Sequence, residues 1–254
     1  MQTYKKLLFA AVVTLAFATN ALAVEKLKMG VQAAYPPFNN KDASGQVVGF
    51  DVDIGNALCA KMKVECEVVA ADWDNIIPAL NSNQFNFLIS SMSITEERKQ
   101  LVDFTAPYYS NKLQFIASKA VTLNITKDTL QQNLSGKIIG APRGTLAASW
   151  LQDKLADVAT IKLYDTQADA NTDLAAGHLD TVLADKFVSY EWLKSEVGKS
   201  YEFKGSPVLD NDKIGIAVRK GDPLLEQLNT ALKEIIADGT YKKINDRYFP
   251  FSIL

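Results

Sequence analysis

Apolar and polar positions along the chain fall into short blocks whose period switches between two residues and about 3.6, the pattern of strands alternating with helices. Lys26 to Gln32 alternates polar and apolar as a strand, Asp51 to Met62 has helical spacing, Val64 to Ala70 reads as a strand and Trp73 to Asn81 as a second helix. Phe85 to Ser90 is an apolar strand running into serines, and Thr95-Glu96-Glu97 supplies a threonine cap and two acids to open a helix. The alternation then recurs as strand Lys137 to Ala141, a Pro-Arg-Gly-Thr turn, helix Ala147 to Leu155, strand Thr160 to Tyr164, helix Gln167 to Ala176 and strand Thr181 to Ala184. Strand Ile214 to Arg219, a Gly-Asp-Pro turn at Gly221 to Pro223 and a long helix from Leu224 to Ala237 complete it. This order predicts an α/β fold with mostly parallel sheets flanked by helices.

Two such units fit the 254 residues better than one wide sheet. Tyr109 to Ala117 and Pro207 to Ile216 mix apolar and polar residues and are expected to cross between two lobes as extended hinge strands. The expected division is a signal peptide at 1–23, lobe 1 from 24–112 and 214–254, and lobe 2 from 113–213. A body with two lobes and two connections has a cleft between them, where a ligand binds and hinge closure is the natural motion.

The N-terminus alters the picture. Lys5 and Lys6 precede an apolar stretch from Leu7 to Ala18, too short for a membrane span, and Ala21-Leu22-Ala23 is a small-x-small site. These features predict a signal peptide cleaved after Ala23, with the mature chain starting at Val24 and no membrane insertion. Removing Lys5 and Lys6 leaves 25 basic against 29 acidic residues, a formal charge of -4. That balance, with no concentrated basic run, argues against nucleic acid and anionic membranes as partners. Cys59 and Cys66, the only cysteines, are expected to form a disulfide, since export places them in an oxidising compartment and no third ligand stands nearby for a metal.

Catalytic arrangements are weakly represented. The single histidine, His178, reads as an exposed turn residue, and neither a GxGxxG nor a P-loop spacing occurs. The carboxylate pairs Asp51/Asp53 and Asp72/Asp74 read as caps and solvated positions at helix starts. No catalytic residue, metal or cofactor is expected. In contrast, Ser90, Ser91 and Ser93 end a strand one turn before Arg98, so hydroxyls, free N–H groups and a guanidinium fork converge as a carboxylate would require. A capped helix with a surface arginine would leave the same trace.

Several ordered segments carry a family resemblance: Tyr35-Pro36-Pro37-Phe38, Val48-Gly49-Phe50-Asp51-Val52-Asp53, Trp73-Asp74-Asn75-Ile76-Ile77-Pro78-Ala79-Leu80, Ser90 to Arg98, Phe104 to Tyr109, and Asp238-Gly239-Thr240-Tyr241. From about Leu27 to Phe249 the chain resembles the polar amino-acid family of periplasmic solute-binding proteins of ABC importers. It is most similar to the lysine/arginine/ornithine-, arginine- and histidine-binding members, which carry a cysteine pair at the same spacing. The resemblance implies the type II periplasmic binding protein fold, a monomer in the periplasm, an L-amino acid ligand and an inner-membrane ABC permease as partner. It implies that Arg98 clamps the ligand α-carboxylate with Ser91, Ser93 and the turn at Thr145, that Asp185 takes the α-ammonium, and that Ser90 makes a neighbouring contact. Tyr35 and Trp73 correspond to an aromatic pair around the ligand side chain.

Two departures bear on specificity. Gln32 stands where lysine/arginine/ornithine binders have an acid for the distal cation, and Leu146 follows Thr145 where relatives often have a second hydroxyl. Asp51 is a second candidate acid at the rim, and Asn86 replaces a frequent family Asp in a structural role. Arginine is the first expectation, because a guanidinium stacks on rings and donates to a neutral amide such as that of Gln32. Glutamine or histidine are the competing ligands. An enzyme on the same fold, such as cyclohexadienyl dehydratase, and a sensory role are the alternatives from other classes.

Overall fold

Residues 25–126 and 128–254 are described by a computed structural model, so the expected signal peptide and its cleavage site lie outside the described residues. The chain starts with β1 (Lys26–Val31), a small antiparallel sheet of β2 (Ala34–Tyr35), β3 (Asn39–Lys41) and β4 (Val47–Val48), then α1 (Phe50–Met62) and β5 (Glu65–Ala70). A 3-10 turn at Trp73–Asn75 runs into α2 (Ile76–Asn81), followed by β6 (Phe87–Ser93), α3 (Glu96–Leu101), β7 (Val102–Phe104) and β8 (Tyr109–Ser118). Next come α4 (Leu130–Leu134), β9 (Ile138–Pro142), α5 (Leu146–Leu155), β10 (Thr160–Tyr164), α6 (Gln167–Ala175), β11 (Thr181–Asp185) and α7 (Lys186–Trp192). β12 (Tyr201–Arg219), α8 (Leu224–Ala237) and α9 (Thr240–Tyr248) complete the described chain.

The larger sheet has nine strands in the order β10-β9-β11-β8-β12-β6-β1-β5, with β7 also on β12. At one side β1 pairs parallel with β5 and β6, and at the other β9 pairs parallel with β10 and β11. Between them β8 and β12 run antiparallel to each other and to their neighbours. Both expected crossing strands are thus present, and they join the parallel halves into one hydrogen-bonded sheet. β12 is longer than its apolar pattern suggests, because Gly205 (φ 64°) and two register shifts, Lys204/Leu209 and Leu209/Asp212, bend it while pairing continues.

Each half has its own core. α1 and α8 pack on one face of the first half through Ile54, Leu58, Leu228 and Ile235, and α2 packs on the other through Ile76 and Leu80 against Leu88. α8 buries Leu224, Leu228, Ala231, Leu232 and Ile235, the three-and-four spacing that turns one stripe inward. In the second half, Leu134, Leu151 and Leu155 meet Ile139 and Leu183 on one face, and Ala170 and Leu174 meet Val182 on the other. All seven residues of β6 are buried, so its serines lie inside the molecule.

The elements without a clear sequence signal are short or polar. β2, β3, β4 and β7 have three residues or fewer, and α9 buries only Tyr241, Ile244 and Asn245 of nine residues. His178 stands at the expected turn, with Nδ1 2.7 Å from Asp173 Oδ1.

Cys59 and Cys66 form a disulfide that ties the last turn of α1 to β5 across a sequence separation of 7. Replacing both by alanine is expected to lower stability by roughly 2.5 kcal/mol on the chain-entropy argument for so short a loop. For a chain of this size that corresponds to a fall of about 5 to 10 °C in the thermal midpoint. Calorimetry of the double variant checks this, and an unchanged midpoint would show that the bridge adds no stability.

Candidate functional site

The local structure of the site begins at Asp51. Gly49, with φ 133°, turns the chain from β4 into α1, and a Cβ there would lie 2.3 Å from the Phe38 carbonyl oxygen. The turn places Asp51 wholly inside, where its carboxylate accepts from Asn39 Nδ2 at 2.7 Å, Ser91 Oγ at 2.9 Å and Tyr108 OH at 2.6 Å. Two residues with left-handed backbones hang on this carboxylate. Ser91 (φ 52°) donates its N–H to Tyr108 OH at 3.2 Å, and Ala33 (φ 62°) donates its N–H to Asn39 Oδ1 at 2.9 Å. Asp51 is therefore not an acid of the rim, nor a solvated helix-start residue: three protein donors surround it and it does not face the pocket. Burial raises its pKa from 3.8 to about 6, against the opposing effect of the three hydrogen bonds. Asp53, its neighbour in sequence, instead accepts from Tyr248 OH at 2.5 Å and pairs with Arg247 at 3.0 Å.

The two irregular positions aim the ends of β1 and β6 into one pocket. Gln32, Tyr35, Ser90, Ser91 and Ser93 line it together with Trp73 and Arg98. The opposite wall comes from the second half, where Thr145 and Asp185 stand beside Pro142, Leu146, Asp165 and Gln167. All nine residues singled out in the sequence thus share one pocket. It lies at the carboxyl ends of β1, β6, β9, β10 and β11, where ligands of open α/β sheets are found.

The polar groups have specific partners. Ser90 Oγ accepts the Gln32 N–H at 2.9 Å, while Ser93 Oγ donates to Asp212 Oδ2 at 3.0 Å. The Thr145 hydroxyl donates to the Pro142 carbonyl at 2.7 Å and accepts the Ala148 N–H at 3.2 Å, capping α5. Its side chain is thereby engaged, and the backbone N–H groups of that first turn are what the turn offers an anion. Asn86 Oδ1 accepts the Lys28 N–H at 2.8 Å, the structural role expected of it.

Arg98 donates to the Ser93 carbonyl and, across the pocket, to the Gly144 carbonyl, both at 2.9 Å, with its guanidinium carbon 5.4 Å from the Trp73 ring centre. Two further bonds span the halves: Tyr35 OH donates to Asp185 Oδ2 at 2.6 Å, and Trp73 Nε1 donates to the Gly144 carbonyl at 3.2 Å. Burial lowers the Arg98 pKa, and burial raises those of Asp185 and Asp212, with the negative charge of Asp185 raising Asp212 further.

Asp212 went unnoticed in the sequence, as did the pocket positions of Asp165 and Gln167. Asp210 and Asp212 share one face of a regular strand by period, but the irregularity after Leu209 leaves Asp210 outside, 3.1 Å from Lys112, and turns Asp212 inward. No sequence signal separates the two.

A pocket lined by one cation, two acids and two aromatic rings suits an amino acid, and the comparisons with known proteins point the same way. Residues 27–251 match the bacterial extracellular solute-binding proteins, family 3. The chain belongs to that family. This solute-binding protein is 43% identical over 240 residues to the "L-arginine-binding protein" of Pseudomonas aeruginosa, covering 91% of this chain and 90% of that one. It is 41% identical to the "ABC transporter arginine-binding protein 1" of Escherichia coli K12, covering 97% and 99%. Its fold superposes on an ancestral arginine-binding protein bound to arginine with a TM-score of 0.82 at 34% identity, covering 88% and 98%. A second ancestral arginine-binding structure, bound to glutamine, gives 0.82 at 34% identity, covering 90% and 100%. These likenesses establish the two-lobed type II binding-protein architecture.

The buried acids of this solute-binding protein predict an unusual pH response. Asp51, Asp185 and Asp212 hold protons more tightly folded than unfolded, so unfolding releases protons and stability rises as pH falls from neutral towards about 4. For Asp51 alone the change from 3.8 to about 6 is worth roughly 3 kcal/mol. Below about pH 4 the surface acids held low by their partners, Asp103, Asp173 and Asp238 among them, reverse the trend. The thermal midpoint is expected to be higher at pH 5 than at pH 7.5 and to fall again below pH 4. A midpoint that declines steadily from pH 7.5 to pH 5 would contradict this description of the acids.

Proposed function

We propose that this protein is a periplasmic receptor that closes on an L-amino acid, arginine first, and delivers it to an inner-membrane ABC permease. The observation that carries the reading is the charge of the pocket. A single guanidinium, Arg98, faces Asp165 and Asp185, with Asp212 immediately behind Ser93. Arg143, 2.8 Å from Asp165 and 4.0 Å from Asp74, offsets one of these two outer acids, and the inner pair Asp185/Asp212 stands against Arg98, so acids outnumber cations around the pocket. A ligand that is itself net positive restores the balance.

In this reading Arg98 and the first N–H groups of α5 hold the α-carboxylate, and Asp185, held in place by Tyr35, takes the α-ammonium. Ser91 and Ser93 give their protons to Asp51 and Asp212, so towards the ligand their hydroxyl oxygens act as acceptors, beside Ser90. Tyr35 and Trp73 flank an apolar stem and a cationic tip, and Gln32 accepts from the tip. Hinge motion at β8 and β12 swings residues 113–213 against 24–112 and 214–254, and the bonds of Gly144 and Asp185 to the first half are the latch. The mature monomer starts at Val24 after export. An enzyme that dehydrates a ring has no need for an ammonium partner such as Asp185. The two relatives from Pseudomonas aeruginosa and Escherichia coli, both arginine-binding by name, support the transport reading.

Competition against labelled arginine at neutral pH tests the ligand. Lysine and ornithine are expected to compete better than neutral amino acids; displacement mainly by glutamine, or no arginine binding, would overturn the basic-ligand reading. Arg98→Ala is expected to weaken binding by about 30- to 5000-fold, the 2 to 5 kcal/mol typical of truncating a buried charge pair, in a chain that still folds. Wild-type affinity in that variant, read by calorimetry, would remove Arg98 from the site.

A further inference from the structure

Gln167 is the first residue of α6 and is 3% exposed. Its Nε2 donates to Asn171 Oδ1 at 2.9 Å, one turn along the helix, while its Oε1 has no hydrogen-bond partner. Five buried side-chain polar atoms among the described residues are unpartnered in this way, on Tyr109, Asn111, Gln114, Gln167 and Ser189. Of these, only Gln167 belongs to a residue that lines the pocket. An acceptor held dry without a donor is unfavourable, and a ligand that supplies the donor recovers the loss as affinity.

We propose that Gln167 is a specificity-determining residue, whose side-chain carbonyl accepts an N–H from the distal end of the bound amino acid. The assignment rests on the amino-acid-binding reading of the pocket and adds the group that selects the side chain. Gln32 reaches the same pocket from the end of β1 in the first half, and Gln167 from α6 in the second. Two neutral acceptors on opposite walls favour a tip that donates in more than one direction. A planar guanidinium with five N–H groups does so, an amide does so less fully, and a carboxylate tip meets only acceptors. Asp165, two residues before Gln167 and also on the pocket wall, is paired with Arg143 at 2.8 Å, so the preference for a guanidinium rests on the two acceptors.

Calorimetry of wild type, Gln167→Leu and Gln167→Glu with L-arginine, L-glutamine and L-glutamate tests the proposal, with thermal midpoints recorded to verify folding. Gln167→Leu is expected to weaken arginine binding by about 10- to 100-fold. Gln167→Glu, which keeps an acceptor at the same reach, is expected to stay within a few-fold of wild type. Arginine binding unchanged in Gln167→Leu, or weakened equally by both substitutions, would overturn the role of Gln167 and leave the amino-acid-binding reading intact. A wild type that prefers glutamate to glutamine would show that the amide presents its N–H to the ligand instead, and would also overturn it. Failure of the wild type to bind any of the three would count against the reading of the pocket itself.

Discussion

The carboxylate of Asp51 is the constraint on which the geometry of the pocket depends. Ser91 and Ala33 adopt left-handed backbones that cost a non-glycine residue about 1 to 2 kcal/mol each. Both are secured by groups bonded to one buried acid, Ser91 through its own hydroxyl and Tyr108, and Ala33 through Asn39. Three donors on one carboxylate offset part of its desolvation, and the irregularities they hold re-aim the strand ends. Without the kink at Ser91, β6 would present alternate serines to opposite faces, as a regular strand must. With it, Ser90, Ser91 and Ser93 all reach the same pocket.

The second constraint is the antiparallel seam of β8 and β12. It carries the sheet from one parallel half to the other, and it also carries Asn111 and Asp212 beneath the pocket. The groups that bridge the halves are therefore anchored differently on each side. Tyr35, Trp73 and Arg98 stand on the first half: Tyr35 pairs with Asn39 of the Asp51 network, Trp73 packs beside the Ile76 and Leu80 cluster, and Arg98 follows the cap of α3 at Thr95, whose hydroxyl accepts the Arg98 N–H at 3.2 Å. Gly144 and Asp185 stand at strand ends of the second. In the proposed reading, ligand affinity and hinge closure draw on the same few polar groups, so that closing the cleft also assembles the site.

Much of this was legible in the sequence because the signals were redundant. Strand and helix periods, the Thr95 cap and the serines before Arg98 pointed to the same cleft, and the family resemblance assigned roles to residues that the pocket does bring together. What periodicity could not supply was the distinction between equivalent neighbours. Asp51 and Asp53 have the same type and spacing, yet a glycine turn buries the first and leaves the second with Tyr248 and Arg247. Asp210 and Asp212 differ only because β12 is irregular between them and Leu209. Gln167 reads as an ordinary residue of a helix start, and its unpartnered acceptor is buried only once α6 is packed against the second half of the sheet.

The most direct measurement is a crystal structure of the mature protein grown with L-arginine. The account predicts one arginine between Tyr35 and Trp73, its α-carboxylate within hydrogen-bond distance of the Arg98 guanidinium and its α-ammonium within hydrogen-bond distance of Asp185. Arginine bound the other way round, with its guanidinium on Asp185 and its α-carboxylate remote from Arg98, or bound outside this pocket, would contradict it.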